Sequence, residues 1–149
     1  ALPIWIKSVQ KPDGSFGETA NSYEDRSLMG TGPSTASQTA WAAMVLQEVY
    51  GPNDPDLWRA LRWLAQTQLR AADAADPALN PDGDPAGGWV ETEFTGTGFP
   101  KVFYLRYHLY RLYFPLMAIG RALAAHGIRV QEPVRSGAVH AAGEPAYAR

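Results

Sequence analysis

The residues best suited to chemistry in this chain are aromatic rings: Phe99, Phe103, Tyr107 and Tyr110. On a helix turning about 100° per residue, these four fall within an arc about 80° wide. Leu105, Leu109 and Leu112 fall on the opposite side. A stripe of rings has two readings. It packs as ordinary core, or it lines a dry pocket in which ring faces steady a cation by about 0.5–2 kcal/mol each without attacking it. The carboxylates offer less. Asp54-Pro55-Asp56 and Asp82-Gly83-Asp84 each carry two, but Pro and Gly beside them mark a helix start and a turn. Glu18, Glu24, Asp25, Glu91 and Glu93 lie in connectors and read as solvated. Arg106, at the edge of the aromatic face, is placed to pair with a loop carboxylate, and His108 reads as solvated. No catalytic acid or nucleophile is assigned in this chain.

Composition closes off other classes. The 149 residues contain no cysteine and three well-separated histidines, His108, His126 and His140. That excludes thiolate chemistry and leaves no metal site to propose. Thirteen Lys and Arg against 15 Asp and Glu give a formal net charge of −2, which argues against nucleic acid as a partner. No run approaches the roughly 18 apolar residues that cross a bilayer. The chain opens at Ala1 on Leu-Pro-Ile-Trp-Ile, which reads as the tail of a helix and so as part of something longer.

The elements that must position the rings are helical. Ser34-Thr35-Ala36-Ser37 supplies N-cap hydroxyls to a helix reaching about Tyr50, apolar nearly all round and so buried on more than one side. Asp54-Pro55 opens a second helix to about Leu69. Leu57, Leu61, Leu64 and Ala65 form its one apolar face, with Arg59, Arg62 and Gln66 opposite. A buried helix followed by an amphipathic one is what alternating inner and outer layers require. Residues 14–33 and 70–87 read as loops. Lys101 to about Tyr113 is expected as the aromatic helix, and Pro115 as the opening of a last helix to about Ala125. With no strand alternation visible, the fold class expected is all-α. The domain expected spans 1–129, with 130–149 an unstructured tail.

Two stretches share a layout. Gln10 precedes Gly14 and Phe16; Gln68 precedes Gly87-Gly88-Trp89, with 15 more residues between. A Gln amide can bond helix-end carbonyls while its face lies on the ring, and glycine permits the tight turn. This layout resembles the QW repeat of triterpene cyclases. Ser34-Thr35-Ala36-Ser37-Gln38-Thr39-Ala40-Trp41-Ala42 and Gly96-Thr97-Gly98-Phe99-Pro100, continuing to Arg111, are similar to the C-terminal region of bacterial squalene–hopene cyclases. The resemblance covers about residues 1–125. It implies part of an α/α barrel and two QW-like sets, Gln10, Gly14, Phe16 and Gln68, Gly88, Trp89. It implies Phe99, Phe103, Tyr107 and Tyr110 at the cavity wall near late cations. It also implies squalene as substrate, hopene or hopanol as product, no cofactor, and attachment to the cytoplasmic face of a membrane. Phe16 stands where that repeat has Trp. The family's Asp-x-Asp-Asp general acid is matched nowhere in this sequence, so the stretch alone is expected to be inactive. Two other classes fit an all-α reading: a carbohydrate-active α/α barrel working through Glu91 or Glu93, and a non-catalytic helical interaction module.

Overall fold

A computed structural model describes residues 2–99 and 102–129. In chain order these form α1 (Leu2–Ser8), α2 (Ala36–Tyr50), α3 (Pro55–Thr67), the single turn α4 (Ala71–Ala74), β1 (Gly96–Phe99), β2 (Phe103–Leu105) and α5 (Tyr110–Ala125). Short 3-10 turns at Ala20–Tyr23 and Arg26–Leu28 punctuate the long connector before α2.

Helix α2 is the hub, packing against α3 on one side and α5 on the other. Its alanines explain why. Ala36, Ala40 and Ala43 are fully buried with Leu46, and so small a surface lets two neighbours approach closely. From α3 come Leu57, Ala60, Leu61 and Leu64, and from α5 Ala118 and Ala122. Each fully buried leucine is worth about 1.5–3 kcal/mol relative to exposure. The helix starts follow the sequence. The Thr35 hydroxyl accepts from the amide of Gln38, and Asp54 accepts from those of Asp56 and Leu57. Gly51, at φ 88°, ends α2. The burial of α2 is not uniform, however: Val45 and Val49 remain exposed.

Two expectations need correcting. The aromatic helix does not form. Residues 96–105 make a two-stranded antiparallel hairpin, with Gly96 opposite Leu105, Thr97 opposite Tyr104 and Phe99 opposite Phe103. Register slips by one between Thr97 and Phe99, leaving Gly98 as the extra residue of a bulge. Thr, Val, Phe and Tyr crowd this stretch, residues that favour the pleated backbone over a helix. Strands of four and three residues are too short to show alternation. Second, Pro115 lies inside α5, which already begins at Tyr110. The ring is buried with Ala118 and Ala122, and that packing holds the turn its missing N–H would weaken. The 70–87 connector is a loop as expected, apart from the single turn α4, and is built around buried Asn80, whose side-chain amide donates to the carbonyls of Ala74 and Asp84 at 2.9 and 2.8 Å. The class remains all-α with one short hairpin. The tail at 130–149 and Pro100-Lys101 lie outside the described residues.

Candidate functional site

The hairpin and the start of α5 place the predicted rings in two pairs rather than on one helical face. Phe99 and Phe103 meet edge-on across the hairpin at 5.8 Å between centroids. A Cβ at Gly98 would lie 1.9 Å from Phe103 Cε2, so the bare bulge residue is what seats that ring. Tyr107 stacks on Tyr110 at 4.7 Å and 18°. Tyr110 in turn stands edge-on to Trp41 of α2 at 5.8 Å and to Phe114 at 5.1 Å. Sequence reasoning assigned Trp41 only to packing. Its signal is a large ring set among the alanines of the first two turns of α2. Partial burial, with Tyr110 beside it, raises the pKa of the neighbouring Tyr113 hydroxyl.

Trp41 belongs to a second wall as well. A cavity of about 310 Å³ lies between α1, residues 16–30, α2 and the start of β1, with Trp5, Phe16, Tyr23, Trp41, Val45 and Phe94 in its lining. The four predicted rings are not among the lining residues. Its polar groups are occupied. Glu18 accepts from the Ser22 hydroxyl at 2.6 Å and from the Gly30 amide at 2.8 Å. The Gln38 side chain exchanges hydrogen bonds with the Glu18 backbone. Such a wall presents ring faces and paired polar groups, which suits an apolar or cationic guest and offers it no free nucleophile.

The two Gln-to-aromatic sets have the same backbone geometry despite their unequal spacing. The Gln10 side-chain amide donates to the Gly14 carbonyl at 2.9 Å and that of Gln68 to the Gly87 carbonyl at 2.7 Å. Lys11 N bonds Ser15 O at 3.0 Å, and Leu69 N bonds Gly88 O at 2.9 Å. Gly14 and Gly87 share positive φ, 93° and 86°. Gly87, rather than Gly88, is therefore the counterpart of Gly14. The expected role of the glutamines shifts too. They brace the loop that carries the ring, and Gln10 also reaches the Asp56 carbonyl at 2.8 Å. The carbonyl near the end of α3 is taken instead by the Trp89 indole, which donates to Leu64 O at 2.8 Å. Phe16 and Trp89 are both buried.

Glu91, expected in solvent, is buried. Its two oxygens take the amide and hydroxyl of Ser37 at 2.9 and 2.8 Å, because the first amides of α2 need acceptors and the helix N-terminus favours a negative charge. That occupation removes it as the free carboxylate a carbohydrate-active barrel would use. Glu24 accepts from the Tyr104 hydroxyl at 2.8 Å, and Asp25 caps the Arg26–Leu28 turn. Arg106 finds its loop carboxylate in Asp82 at 3.3 Å. Arg111, passed over in the sequence, is 2% exposed. Its signal was an arginine among Tyr, Leu and Phe at a helix start.

Residues 3–124 match the family model described as squalene-hopene cyclase C-terminal domain. A squalene–hopene cyclase of Zymomonas mobilis is 42% identical over 118 residues, covering 78% of this chain and 16% of the relative. That of Alicyclobacillus acidocaldarius is 42% identical over 105 residues, 70% of this chain and 14% of its own. A dammaradiene synthase of the fern Dryopteris crassirhizoma is 38% identical over 124 residues, 77% of this chain and 16% of its own. The chain thus spans about a sixth of the length of these three relatives.

Proposed function

The chain belongs to the squalene-hopene cyclase C-terminal domain family, whose fold is the α/α barrel of terpenoid cyclases, and we propose that it serves as the C-terminal part of a triterpene cyclase. The observation that carries this reading is the continuous aromatic array. Tyr107, Tyr110, Phe114 and Trp41 touch ring to ring, and Phe99 and Phe103 cover the adjoining hairpin. Tyr107, Phe103 and Phe99 are between 44% and 65% exposed, an orientation that suits rings facing a guest.

The chemistry explains the residue types. Squalene offers no polar handle, so shape and apolar contact must hold it. Protonation of a terminal alkene starts ring closures through carbocations, which water or a free carboxylate would quench. Ring faces stabilise such charge without bonding to it. Phe99, Phe103, Tyr107 and Tyr110 take that role, while Gln10, Gly14 and Phe16, with Gln68, Gly87, Gly88 and Trp89, brace the loops behind them. The general acid belongs to the remainder of the cyclase, and no cofactor enters. Among the described residues no helix is long and apolar enough to cross a membrane; attachment to one membrane face is part of the proposal.

A hybrid enzyme tests it. Residues 3–124 replace the matching segment of the Zymomonas mobilis cyclase, and detergent-dispersed squalene is assayed for cyclised products by mass spectrometry. The hybrid is expected to cyclise squalene, and the cyclase lacking the segment is not. A folded hybrid with no product above a boiled control overturns the reading.

A further inference from the structure

The two arginines that flank the stacked tyrosines are tied to one acidic turn. Arg106 stands immediately before Tyr107, and Arg111 immediately after Tyr110. Asp82 bridges them, one oxygen 3.3 Å from Arg106 Nη2 and the other 3.2 Å from Arg111 Nη2. Asp84 adds a second grip on Arg111: its Oδ1 accepts from both Nε and Nη2, at 2.9 Å each. Arg111 Nη1 also donates to the Glu91 carbonyl at 3.3 Å, and Arg106 Nη1 to that of Thr92 at 3.4 Å. Asp84 itself is seated by Asn80, whose side-chain oxygen accepts from its amide at 2.9 Å.

We propose that the Asp82-Gly83-Asp84 turn positions the Tyr107–Tyr110 stack, gripping its two flanking arginines and so helping to set which products the cyclase releases. The inference rests on the cyclase reading and goes beyond it. Neither aspartate touches a ring: they are positioning residues acting through Arg106 and Arg111. Three features favour this over a general stabilising role. Tyr107 lies in the connector between the hairpin and α5, its amide held by the Thr95 hydroxyl at 3.1 Å, and Tyr110 opens α5, so no single element fixes one ring against the other. Asp82 takes one nitrogen of each arginine on its two oxygens, and Asp84 Oδ1 takes two nitrogens of Arg111, so these charge-assisted contacts fix the two guanidinium groups relative to one another. The aspartates lie in the stretch by which the second repeat exceeds the first, which gives those added residues a task.

The test uses two readouts. In the 149-residue chain in detergent, Asp82→Ala should reduce the near-ultraviolet circular dichroism of the aromatic cluster while the far-ultraviolet helix signal is kept; Asp82→Glu should restore much of it. In the hybrid cyclase, Asp82→Ala and Arg111→Lys should each raise the ratio of early-terminated to fully cyclised products about fivefold or more, since a loss near 1 kcal/mol at one step is enough, with KM for squalene unchanged. Unaltered product ratios in an active hybrid, with only a lower melting temperature, overturn the positioning role and leave the cyclase reading standing. A wild-type hybrid that folds but makes no product overturns both.

Discussion

The Trp89 indole donates to the Leu64 carbonyl at 2.8 Å across 25 positions of sequence. Leu64 lies in the last turn of α3, where carbonyls lack a helical backbone partner; the Thr67 hydroxyl also reaches its oxygen, at 3.4 Å, and both Trp89 and Leu64 are fully buried. Trp89→Phe keeps most of the ring and removes the shorter donor, leaving the Leu64 carbonyl with only the long Thr67 contact, so it should cost about 1–3 kcal/mol. Trp89→Ala adds a cavity and should cost about 3–5 kcal/mol. Denaturant unfolding of the hybrid cyclase measures both. Equal stability of Trp89→Phe and the parent would show that the Thr67 hydroxyl suffices for the Leu64 carbonyl.

The matched loop glycines predict an order. At Gly14, φ is 93° and an added Cβ would lie 2.6 Å from the Arg59 carbonyl oxygen. At Gly87, φ is 86° but the nearest atom is the Gln68 side-chain nitrogen at 3.9 Å. Gly87→Ala should therefore cost about 1–2 kcal/mol, backbone strain alone. Gly14→Ala should cost more, because α3 backbone must also move. Melting curves of the two variants decide it, and a reversed order would refute the assignment of these glycines as counterparts.

Asp54 predicts an acid limb. Burial pushes its carboxyl upward, yet the Lys7 ammonium and the α3 amides of Leu57 and Asp56 outweigh that and hold it below the usual carboxylate value. A depressed folded-state pKa gives stability that is present above the unfolded value and lost as pH falls through the folded one. The loss should thus appear below about pH 4. Asp54→Asn keeps a cap oxygen but no charge, so its stability should fall less between pH 5 and 2 than the parent's, measured as denaturation midpoint against pH. Parallel curves would show that the Lys7 contact contributes nothing.

The helices from Thr35 to Thr67 were legible because their signals are local: a hydroxyl cap, Asp-Pro, Gly-Pro and leucines at helical spacing. The hairpin was not. Phe99, Phe103, Tyr107 and Tyr110 fit a helical arc by count, and nothing in strands this short contradicts a helix until Gly98 is seen under the Phe103 ring. Glu91 and Arg111 escaped for another reason. Each is buried by a partner far along the chain, Ser37 and Asp84, and charge alone reads as solvent-facing. The Gln-Gly-aromatic sets were visible as residues, but their shared loop geometry depends on a fold-back of 21 positions from Gln68 to Trp89.

Phe103 and Tyr110 carry the last expectation. If their rings steady late cations, removing one should leave the early ring closures intact and divert the final steps. In the hybrid cyclase, Phe103→Ala takes away a ring face and opens space beside it, so the cascade should end early by proton loss. One or two kcal/mol of differential stabilisation corresponds to product ratios shifted roughly five- to thirtyfold. Gly98→Ala should imitate it, since the added methyl would displace the Phe103 ring from 1.9 Å. Tyr110→Phe should be milder than Tyr110→Ala, because its ring still stacks on Tyr107 and meets Trp41 edge-on. The readout is the product spectrum at equal folded enzyme. If both alanine variants slow the enzyme uniformly and leave the ratios unchanged, these rings are packing and do not stabilise cations.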